Sequence, residues 1–548
     1  MWHERAQLRE TARLFFVFIL SVGSMIIMFG LSYYLIGFYK GAPLGLIQCF
    51  YFVWITFASI GYSDEGFTSS GFRVMTILVG SFLIVRFIVL AAHVYARVVV
   101  EEVYNLRIMR EMKKSLQVAQ GHFLIFGDET ELINKIVQGL VQGREVYLIS
   151  EDRKLLQDYK EQYKTMKYII AKPTKAETID LLRPEAANCA YLLFREDEKN
   201  VLLAAMLEKR IRVISSFSGN FTFLPRFKRV GVVPISPHFS GGLKIVSTMI
   251  RPQVTEFLDR FLFPDNAELE FLTVPLGEAQ RREHFVSLAA IVEGKMDFSA
   301  APREKGMVMG IGYKKNAAEV KRIGLLESVE LPIRTDRFLV IGGGTIGGTV
   351  IAELQATKRK LIVIDTEEGK IENLRQKYGE ENTQYIVGDA LTVDLKVDEF
   401  DGVAICTPVD EKNFTIGLDF IGSHLLRVVR AVDEDMEHHY RRIGAIPVYV
   451  GRVGSARMLR EVTNQLANEV LRDMLLQQFR MDQVYIIKPG SLAELKARFP
   501  VSAIAYCRDR HCYFAPGEDE MLERGDTLLF CGPVDTNQAL RLHHSPAA

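Results

Sequence analysis

The sequence predicts a helical membrane domain followed by two tandem α/β domains, each with a Rossmann-like parallel sheet and a small α+β C-terminal subdomain. Two apolar runs near the start of the chain are each long enough to cross a bilayer. After them, short apolar strands alternate with amphipathic helices, which is the rhythm of βαβ units. That stretch occurs twice, and a chain of 548 residues is too long for a single core.

Charge and cysteine content limit which classes of protein the chain can belong to. The 67 basic and 67 acidic side chains balance, so no overall field favours nucleic acid as a partner. The six cysteines are scattered, which is untypical of a disulfide framework and suits a reducing cytosol. Cys507 and Cys512 flank His511, but no second pair completes a tetrahedral metal site. We therefore expect an ordinary strand and turn there.

The two apolar runs are predicted transmembrane helices, from Leu14 to Phe38 and from Phe72 to Val100. Basic residues precede the first run and follow the second, so the positive-inside rule places both ends in the cytoplasm. The prediction is a multi-pass protein of the cell (inner) membrane, in contact with lipid, with cytoplasmic C-terminal domains. Residues 1–100 form this membrane domain and residues 101–120 a linker helix.

A third apolar segment lies between the two runs. Pro43 to Ala58 is compatible with a helix but too short to cross a bilayer, and the letters SIGYSD follow at once. This pattern indicates a re-entrant half-helix, whose irregular continuation is tolerated only where it is enclosed by protein or lines water. The sequence therefore predicts a pore; a simple helical hairpin anchor is the alternative.

The segment from Ser59 to Asp64 resembles the potassium-channel filter Thr-Val-Gly-Tyr-Gly-Asp, in which backbone carbonyls replace the water shell of K⁺. Ser63 departs from the second glycine of that pattern, which costs about 1 kcal/mol in backbone energy, so a nonselective cation channel stays open as an alternative. Gly80 in the second run is a candidate gating hinge, with close helix packing as the alternative. The resemblance assigns the filter and its support to Ser59, Ile60, Gly61, Tyr62 and Ser63, with Thr56 and Asp64.

Two copies of one α/β unit follow the linker. The letters HFLIFG begin the first copy and RFLVIGGG the second, and YLLFREDEKN in the first parallels VAICTPVDEKN in the second. Each copy continues into a smaller β-rich segment. The predicted boundaries are 121–264 and 335–480 for the Rossmann-like subdomains, and 265–334 and 481–540 for their C-terminal subdomains.

The second copy carries a dinucleotide-binding pattern between a strand and a helix. Gly342 permits the tight turn, Gly344 lets a pyrophosphate approach the backbone, and Gly347 lets helix and strand pack closely. Asp365 ends the next strand, where a carboxylate accepts from ribose hydroxyls. The sequence therefore predicts a nucleotide with free ribose hydroxyls, which is NAD, ADP or AMP. A Rossmann fold without a ligand is the alternative.

The first copy has carboxylates where the second has glycines. Asp128, Glu129 and Glu131 would repel phosphates. Together they are a candidate site for a divalent cation such as Ca²⁺, which prefers several oxygen ligands. A solvated acidic loop is the alternative, and the same two alternatives apply to residues 433–439.

The segment from Gln483 resembles the C-terminal subdomain of RCK (regulator of K⁺ conductance) domains. The whole arrangement resembles two-transmembrane prokaryotic potassium channels with tandem RCK domains, of the GsuK type. This resemblance implies a homotetramer that conducts K⁺ and is gated by a nucleotide, with Ca²⁺ as a possible second effector. The fingerprint and the resemblance together assign further nucleotide contacts to Thr345, Ile346, Thr366, Asp389, Ala390, Thr407, Pro408 and Arg452.

The competing class is a membrane-anchored NAD-dependent oxidoreductase. Hydride transfer needs an acid or a base held beside the nicotinamide by an orienting partner. His438 and His439 are the nearest candidates, and the sequence shows no such partner for them. We therefore expect a nucleotide effector and no enzymatic activity.

Overall fold

The computed structural model describes residues 23–24, 26–39, 45–57, 74, 77, 81, 114–140, 144–232, 234–262, 269–282, 284–292, 295–297, 306–313, 322–325, 336–393, 395–463, 479–509 and 511–544. The chain divides into two units, residues 1–113 and 114–548, and each is described by itself. The predicted filter from Ser59 to Asp64, the hinge Gly80, residues 101–113 of the linker and most of the second apolar run lie outside the described residues.

The described part of the first unit is helical. Residues 26–39 form one helix, and α1 (Leu46–Phe57) lies within the predicted half-helix and includes Thr56. The rings of Tyr33 and Phe52 pack edge to face with centroids 5.4 Å apart. Among the described residues, no helix has both the length and the apolar character needed to span a bilayer. The two transmembrane helices stay a prediction.

The second unit begins with the end of the linker and the first Rossmann-like subdomain. Residues 114–118 are helical. The five strands that follow are parallel in the order β3-β2-β1-β4-β5, the arrangement of a doubly wound fold. Strands β1 and β2 are buried throughout, as expected for a sheet covered on both faces. The elements are β1 (His122–Gly127), α2 (Thr130–Leu140), β2 (Val146–Ser150), α3 (Arg153–Gln162), β3 (Lys167–Ile170), α4 (Ala176–Leu181), β4 (Ala187–Leu193), α5 (Asp197–Leu207), β5 (Ile214–Ser216), α6 (Leu224–Arg229), α7 (Pro237–Ile250) and α8 (Pro252–Phe257), followed by a π-helix (Leu258–Leu262).

The second Rossmann-like subdomain repeats this order with one more strand. Its six parallel strands run β13-β12-β11-β14-β15-β16, which confirms the predicted tandem α/β repeat. The elements are β11 (Arg337–Ile341), α10 (Thr345–Ala356), β12 (Lys360–Asp365), α11 (Glu368–Tyr378), β13 (Thr383–Val387), β14 (Gly402–Ile405), α12 (Asp410–Leu418), β15 (Leu426–Ala431), α13 (Glu437–Arg442), β16 (Ala445–Tyr449) and α14 (Val450–Thr463); α9 and β6–β10 precede them and are given below.

The two repeats exchange their last helices. Helix α7 of the first repeat packs on the second sheet, where Met249 is buried in the same core as Phe338 of β11. Helix α14 of the second repeat packs against α2 of the first, where Met458 shares a core with Ile133. Each sheet therefore has one face completed by the other copy, an arrangement that the sequence did not predict.

The C-terminal subdomains also combine. Strand β10 lies in the predicted first subdomain, residues 265–334, but it pairs with β20 of the second, where Ile323 faces Cys512. Two antiparallel sheets, β6-β9-β7-β8 and β10-β20-β19-β22-β17, share one hydrophobic core, and β18 pairs with β21 in a separate two-stranded sheet. Their elements are β6 (Leu269–Pro275), α9 (Leu276–Ala279), β7 (Val286–Val292), β8 (Lys295–Asp297), β9 (Met307–Tyr313), β10 (Arg322–Leu325), β17 (Phe479–Tyr485), β18 (Gly490–Ser491), α15 (Leu492–Arg498), β19 (Ser502–Arg508), β20 (His511–Phe514), β21 (Met521–Leu522), β22 (Thr527–Pro533) and α16 (Val534–His543).

One cysteine expectation needs correction. Cys507 and Cys512 lie on adjacent strands of the β19–β20 hairpin, so the expected strand and turn are present. The two residues are directly opposite each other and form a disulfide, which was not predicted from the sequence. Directly opposed positions on adjacent strands bring two side chains together, whatever their chemistry. The short spacing of the two cysteines in the sequence did not by itself show that they would be opposed.

Candidate nucleotide-binding site

The turn from β11 to α10 needs glycine at two positions. Gly342 has a φ of +96°, and a β-carbon there would lie 3.0 Å from the carbonyl carbon of Cys406, the residue after β14. At Gly347 a β-carbon would lie 1.8 Å from the carbonyl oxygen of Gly342. Burial raises the pKa of the Cys406 thiol to about 12, so this neighbour of the turn is uncharged. The first and third glycines of the predicted pattern therefore shape the turn itself.

The second glycine of the pattern faces open space. Gly344 immediately precedes α10, and a β-carbon there would meet no atom within 4 Å. The amides of Thr345 and Ile346, in the first turn of α10, have no partner within the helix. An open approach to the amino end of a helix favours an anion such as a phosphate.

Asp365 ties the neighbouring strand to this turn. It is the last residue of β12 and is 9% exposed. One carboxylate oxygen accepts from the Gly343 amide at 2.6 Å, and the other accepts from the Glu367 amide at 2.9 Å. A carboxylate has about four acceptor positions, so both oxygens can accept further hydroxyl donors. Asp365 therefore lies where the ribose of a nucleotide bound at the turn would need an acceptor.

A cavity of about 670 Å³ opens beside the turn, between α10 and α11. Of the predicted contacts, Gly344 and Thr345 line it. Most of the lining was not predicted from the sequence, because Phe239 comes from the first repeat and most of the other residues lie along α10 and α11, beyond the glycine pattern. The lining residues are Phe239, Gly343, Gly344, Thr345, Gly348, Thr349, Ala352, Glu353, Glu367, Gly369, Lys370, Asn373, Leu374, Lys377 and Tyr378.

Several predicted contacts follow other strands of the same sheet. Thr366, Ala390 and Pro408 come after β12, β13 and β14, whose carboxyl ends meet at the edge that carries the glycine turn. Asp389 lies 3.6 Å from the ammonium group of Lys412. The sheet topology therefore brings these residues to one edge, as the doubly wound fold requires.

Two further predicted contacts have other neighbours in the fold. The buried Thr407 hydroxyl donates to the amide oxygen of Asn413 at 2.5 Å, so its proton is already used. Arg452 is exposed near the start of α14, next to Gly451, which lies against the carboxylate of Glu131 in the first repeat. The structure thus places Arg452 by the acidic loop of the first repeat.

The acidic loop of the first repeat differs from the glycine turn in its backbone contacts. The amides of Asp128 and Glu129 both donate to the carbonyl oxygen of Leu193, at 3.2 and 3.0 Å. Their carboxylates contact Arg195, through its amide at 3.0 Å and its guanidinium at 2.7 Å. Burial, followed by the charge of Glu129, raises the pKa of Glu131. In the described part of the chain, no three His, Cys, Asp or Glu side chains form a metal cluster. The Ca²⁺ site stays a prediction.

One structural device is present in both repeats and was missed from sequence. Asn413 donates to the carbonyl oxygens of Thr407 at 3.0 Å and Arg430 at 2.9 Å, which joins the ends of β14 and β15. Asn200 does the same in the first repeat, with Phe194 and Phe217. The repeated letters DEKN were the available signal.

Residues 338–450 match the family model described as the TrkA-N domain. The match falls on the second repeat. It runs from β11 to the first residue of α14, so the TrkA-N segment includes the glycine turn, Asp365 and Thr407. No curated protein matches the sequence.

Solved structures align with a larger part of the chain. The human SLO3 gating ring aligns with 75% of this chain and 99% of its own, at 11% identity and a TM-score of 0.58. The GsuK channel bound to NAD aligns with 97% of this chain and 99% of its own, at 15% identity and a TM-score of 0.42. GsuK bound to ADP covers 83% of this chain and 99% of its own, at 14% identity and a TM-score of 0.39. The aligned part of this chain therefore shares its fold with the human SLO3 gating ring.

Proposed function

We propose that the chain is a subunit of a ligand-gated potassium channel whose second repeat binds an adenine nucleotide of the NAD, ADP or AMP type. The observation that carries the proposal is the open backbone at Gly344, in front of α10 and beside the carboxylate of Asp365. Helix amides at such a position solvate phosphates, and the carboxylate accepts from ribose hydroxyls.

In this proposal the nucleotide is an effector and not a cosubstrate. The fold is shared with the human SLO3 gating ring, and gating by a cytosolic ring is the role that we propose here. A ligand that binds one ring conformation better than another shifts the equilibrium between them. A difference of about 3 kcal/mol per ring changes the open probability strongly, and four weak sites in a homotetramer can supply it.

The membrane part of the proposal rests on residues 1–100. Their two apolar runs and the resemblance of Ser59 to Asp64 to a filter motivate it. In the described part of the first unit, large apolar side chains are exposed, among them Phe38 at 72% and Ile47 at 83%. Surfaces of this kind suit lipid or neighbouring subunits. We propose that four copies surround one K⁺ pathway in the cell (inner) membrane, with the second unit in the cytoplasm.

A nonselective cation channel is the second candidate. Ser63 favours it, because the filter pattern has glycine at this position and a β-carbon disfavours the backbone conformation that glycine adopts there. The gating mechanism would be the same. The two candidates differ in the ratio of K⁺ to Na⁺ permeability.

Recording from the purified full chain in planar bilayers tests the proposal. We expect a K⁺-selective conductance that changes when NAD, ADP or AMP is added on the cytosolic side, with Ca²⁺ applied separately. Gly344→Asp places a carboxylate at the phosphate position and should abolish the nucleotide response while the unliganded conductance persists. Gly517→Asp is the matched control, since it also adds a carboxylate in open space but in the second C-terminal subdomain.

Other results of the bilayer recordings would point to different functions or to a different binding site. Equal Na⁺ and K⁺ currents would favour the nonselective channel. Turnover of NADH without any conductance would favour the oxidoreductase. A nucleotide response that survives in Gly344→Asp would show that the ligand binds elsewhere.

A further inference from the structure

We infer that the first repeat contributes directly to the nucleotide site of the second, with Phe239 of α7 forming the surface on which a planar ring of the nucleotide stacks. This inference rests on the proposed nucleotide site and adds a binding residue to it. Phe239 lies in the other copy of the repeat and outside the glycine pattern. It nevertheless lines the same cavity as Gly344 and Thr345.

Helix α7 is seated closely on the helix that would bind the phosphates. A β-carbon at Gly242 of α7 would lie 2.7 Å from the side chain of Thr349 and 3.3 Å from the carbonyl oxygen of Ile346, both in α10. The glycine therefore allows the two helices to approach at the first turns of α10. At the start of α7, Ser236 accepts from the Phe239 amide at 3.4 Å, which orders the turn that carries the ring.

The cavity has the size of a nucleotide site. Its volume of about 670 Å³ lies within the usual range for sites that enclose organic ligands and is far larger than a phosphate requires. Gly344, Gly348 and Ala352 recur every four residues, so they line one side of α10 with little side-chain volume. That spacing extends the open space about 12 Å along the helix axis from the phosphate position.

The lining combines cations with aromatic rings. Lys370 and Lys377 lie on α11 together with Tyr378, and the Lys377 ammonium group is 4.8 Å from the centre of the Tyr378 ring. Lys370 is paired with Glu367 at 2.5 Å, at the end of the cavity near Asp365. The carboxylates of Glu353 and Glu367 also line the cavity and balance the two lysines, so the aromatic rings, and not net charge, favour a ligand with a planar group over an inorganic anion. The chemical class that fits is a nucleotide, with Phe239 against one of its rings.

The position of Phe239 has a consequence for regulation. Helix α7 belongs to the first repeat by sequence and to the second sheet by packing. A ligand held between the glycine turn and Phe239 therefore contacts both repeats at once. Its binding favours the conformation in which α7 and α10 stay together over one in which they separate. Allosteric coupling requires such a difference in ligand contacts between two conformations.

Calorimetric titration of the purified full chain tests the assignment with three ligands: ADP, NAD and inorganic pyrophosphate. Aromatic stacking on a base contributes enough that Phe239→Ala should weaken ADP and NAD binding by about 10-fold or more. Pyrophosphate binding should be unchanged, because its contacts are with the turn alone. Phe239→Tyr should retain nucleotide affinity, and Leu202→Ala, which removes an exposed side chain of the first repeat, is the matched control.

Each of the other titration results would contradict a specific part of the proposal. If the unmodified chain binds neither nucleotide nor pyrophosphate, the proposed nucleotide site itself is wrong. If it binds nucleotide and Phe239→Ala binds equally well, the nucleotide site stands and the role of Phe239 is wrong. If Phe239→Ala loses pyrophosphate as well, the side chain acts by positioning α10 and not by contact with the ring, which also overturns the assignment.

Discussion

The guanidinium group of Arg183 donates to the carbonyl oxygen of Gln117 at 2.5 Å and to that of Leu116 at 3.2 Å. These carbonyls lie at the end of the helical residues 114–118, where an α-helix leaves its last carbonyls without internal partners. In the same helical segment, the Ser115 hydroxyl lies 2.9 Å from that of the buried Tyr147. The end of the predicted linker is thus fastened to the first Rossmann sheet from two sides.

We expect this attachment to be needed for gating but not for ligand binding. The double variant Ser115→Ala/Arg183→Gln removes both attachments and should lower the free energy of unfolding by only about 1 kcal/mol. Nucleotide affinity in calorimetry should not change, whereas the nucleotide-dependent change in current should shrink. Arg210→Gln is the control, because Arg210 makes exposed ion pairs with Asp180 and Glu185. An undiminished current response in the double variant would show that force reaches the pore by another route.

The glycine turn predicts opposite stability effects at two neighbouring glycines. Gly347→Ala forces a methyl group against the carbonyl oxygen of Gly342 and should cost about 3 kcal/mol of unfolding free energy. Gly344→Ala adds the same group in open space and should leave stability nearly unchanged. Urea denaturation measures both. Equal stability of the two variants would contradict the turn geometry described here.

The repeated asparagine predicts a local effect on the nucleotide site. Asn413→Ala leaves the buried carbonyl oxygens of Thr407 and Arg430 without this donor and should cost about 2 kcal/mol. It should also weaken nucleotide binding, because the loop after β14 borders the glycine turn. Asn200→Ala removes the same device from the first repeat and should destabilise similarly while nucleotide affinity is retained. Equal losses of affinity in both variants would indicate a global effect.

His544 predicts a loss of stability in mild acid. Its Nδ1 accepts from the amides of Ile487 and Lys488, at 3.3 and 3.4 Å, and burial lowers its pKa to about 4. Between about pH 6.5 and pH 4 the unfolded chain therefore binds a proton that the folded chain does not, and the free energy of unfolding falls as the pH is lowered, by roughly 3 kcal/mol in total.

His544→Asn keeps a side-chain acceptor but does not titrate. Thermal unfolding of both proteins from pH 7.5 to pH 4.5 should show a shallower decline for the variant. Parallel declines would assign the acid sensitivity to other groups.

The elements that sequence predicted well are those set by local spacing. The strand, glycine turn and helix from Arg337 to Ala356, and Asp365 at the end of the next strand, lie within one βαβ unit. Their relative positions follow from backbone geometry, whichever partners surround them. The tandem α/β repeat was predictable for the same reason, since each copy carries its own periodicity.

The contacts between the copies were not predictable in this way. Helices α7 and α14 each present an apolar stripe. Each could cover either of two sheets, because the two sheets have nearly the same pattern of apolar residues. Burial of apolar surface is not directional, so the pattern does not specify which sheet a helix chooses. Strand β10 was missed because backbone pairing across subdomains leaves no periodic signal in the chain. The Cys507–Cys512 pair was missed because the spacing of the two cysteines does not show that they stand opposite each other in a hairpin.

The sequence by itself determined two Rossmann-like units, a glycine turn before the first helix of the second unit, and a carboxylate at the end of the strand that follows. Only the tertiary structure decided that α7 lies on α10, that Phe239 of the first repeat reaches the cavity of the second, and that the linker end is held by Arg183. The physical reason is that the local features depend on residue spacing within one unit. The contacts between the copies depend instead on which of several equally apolar faces meet when the two copies pack.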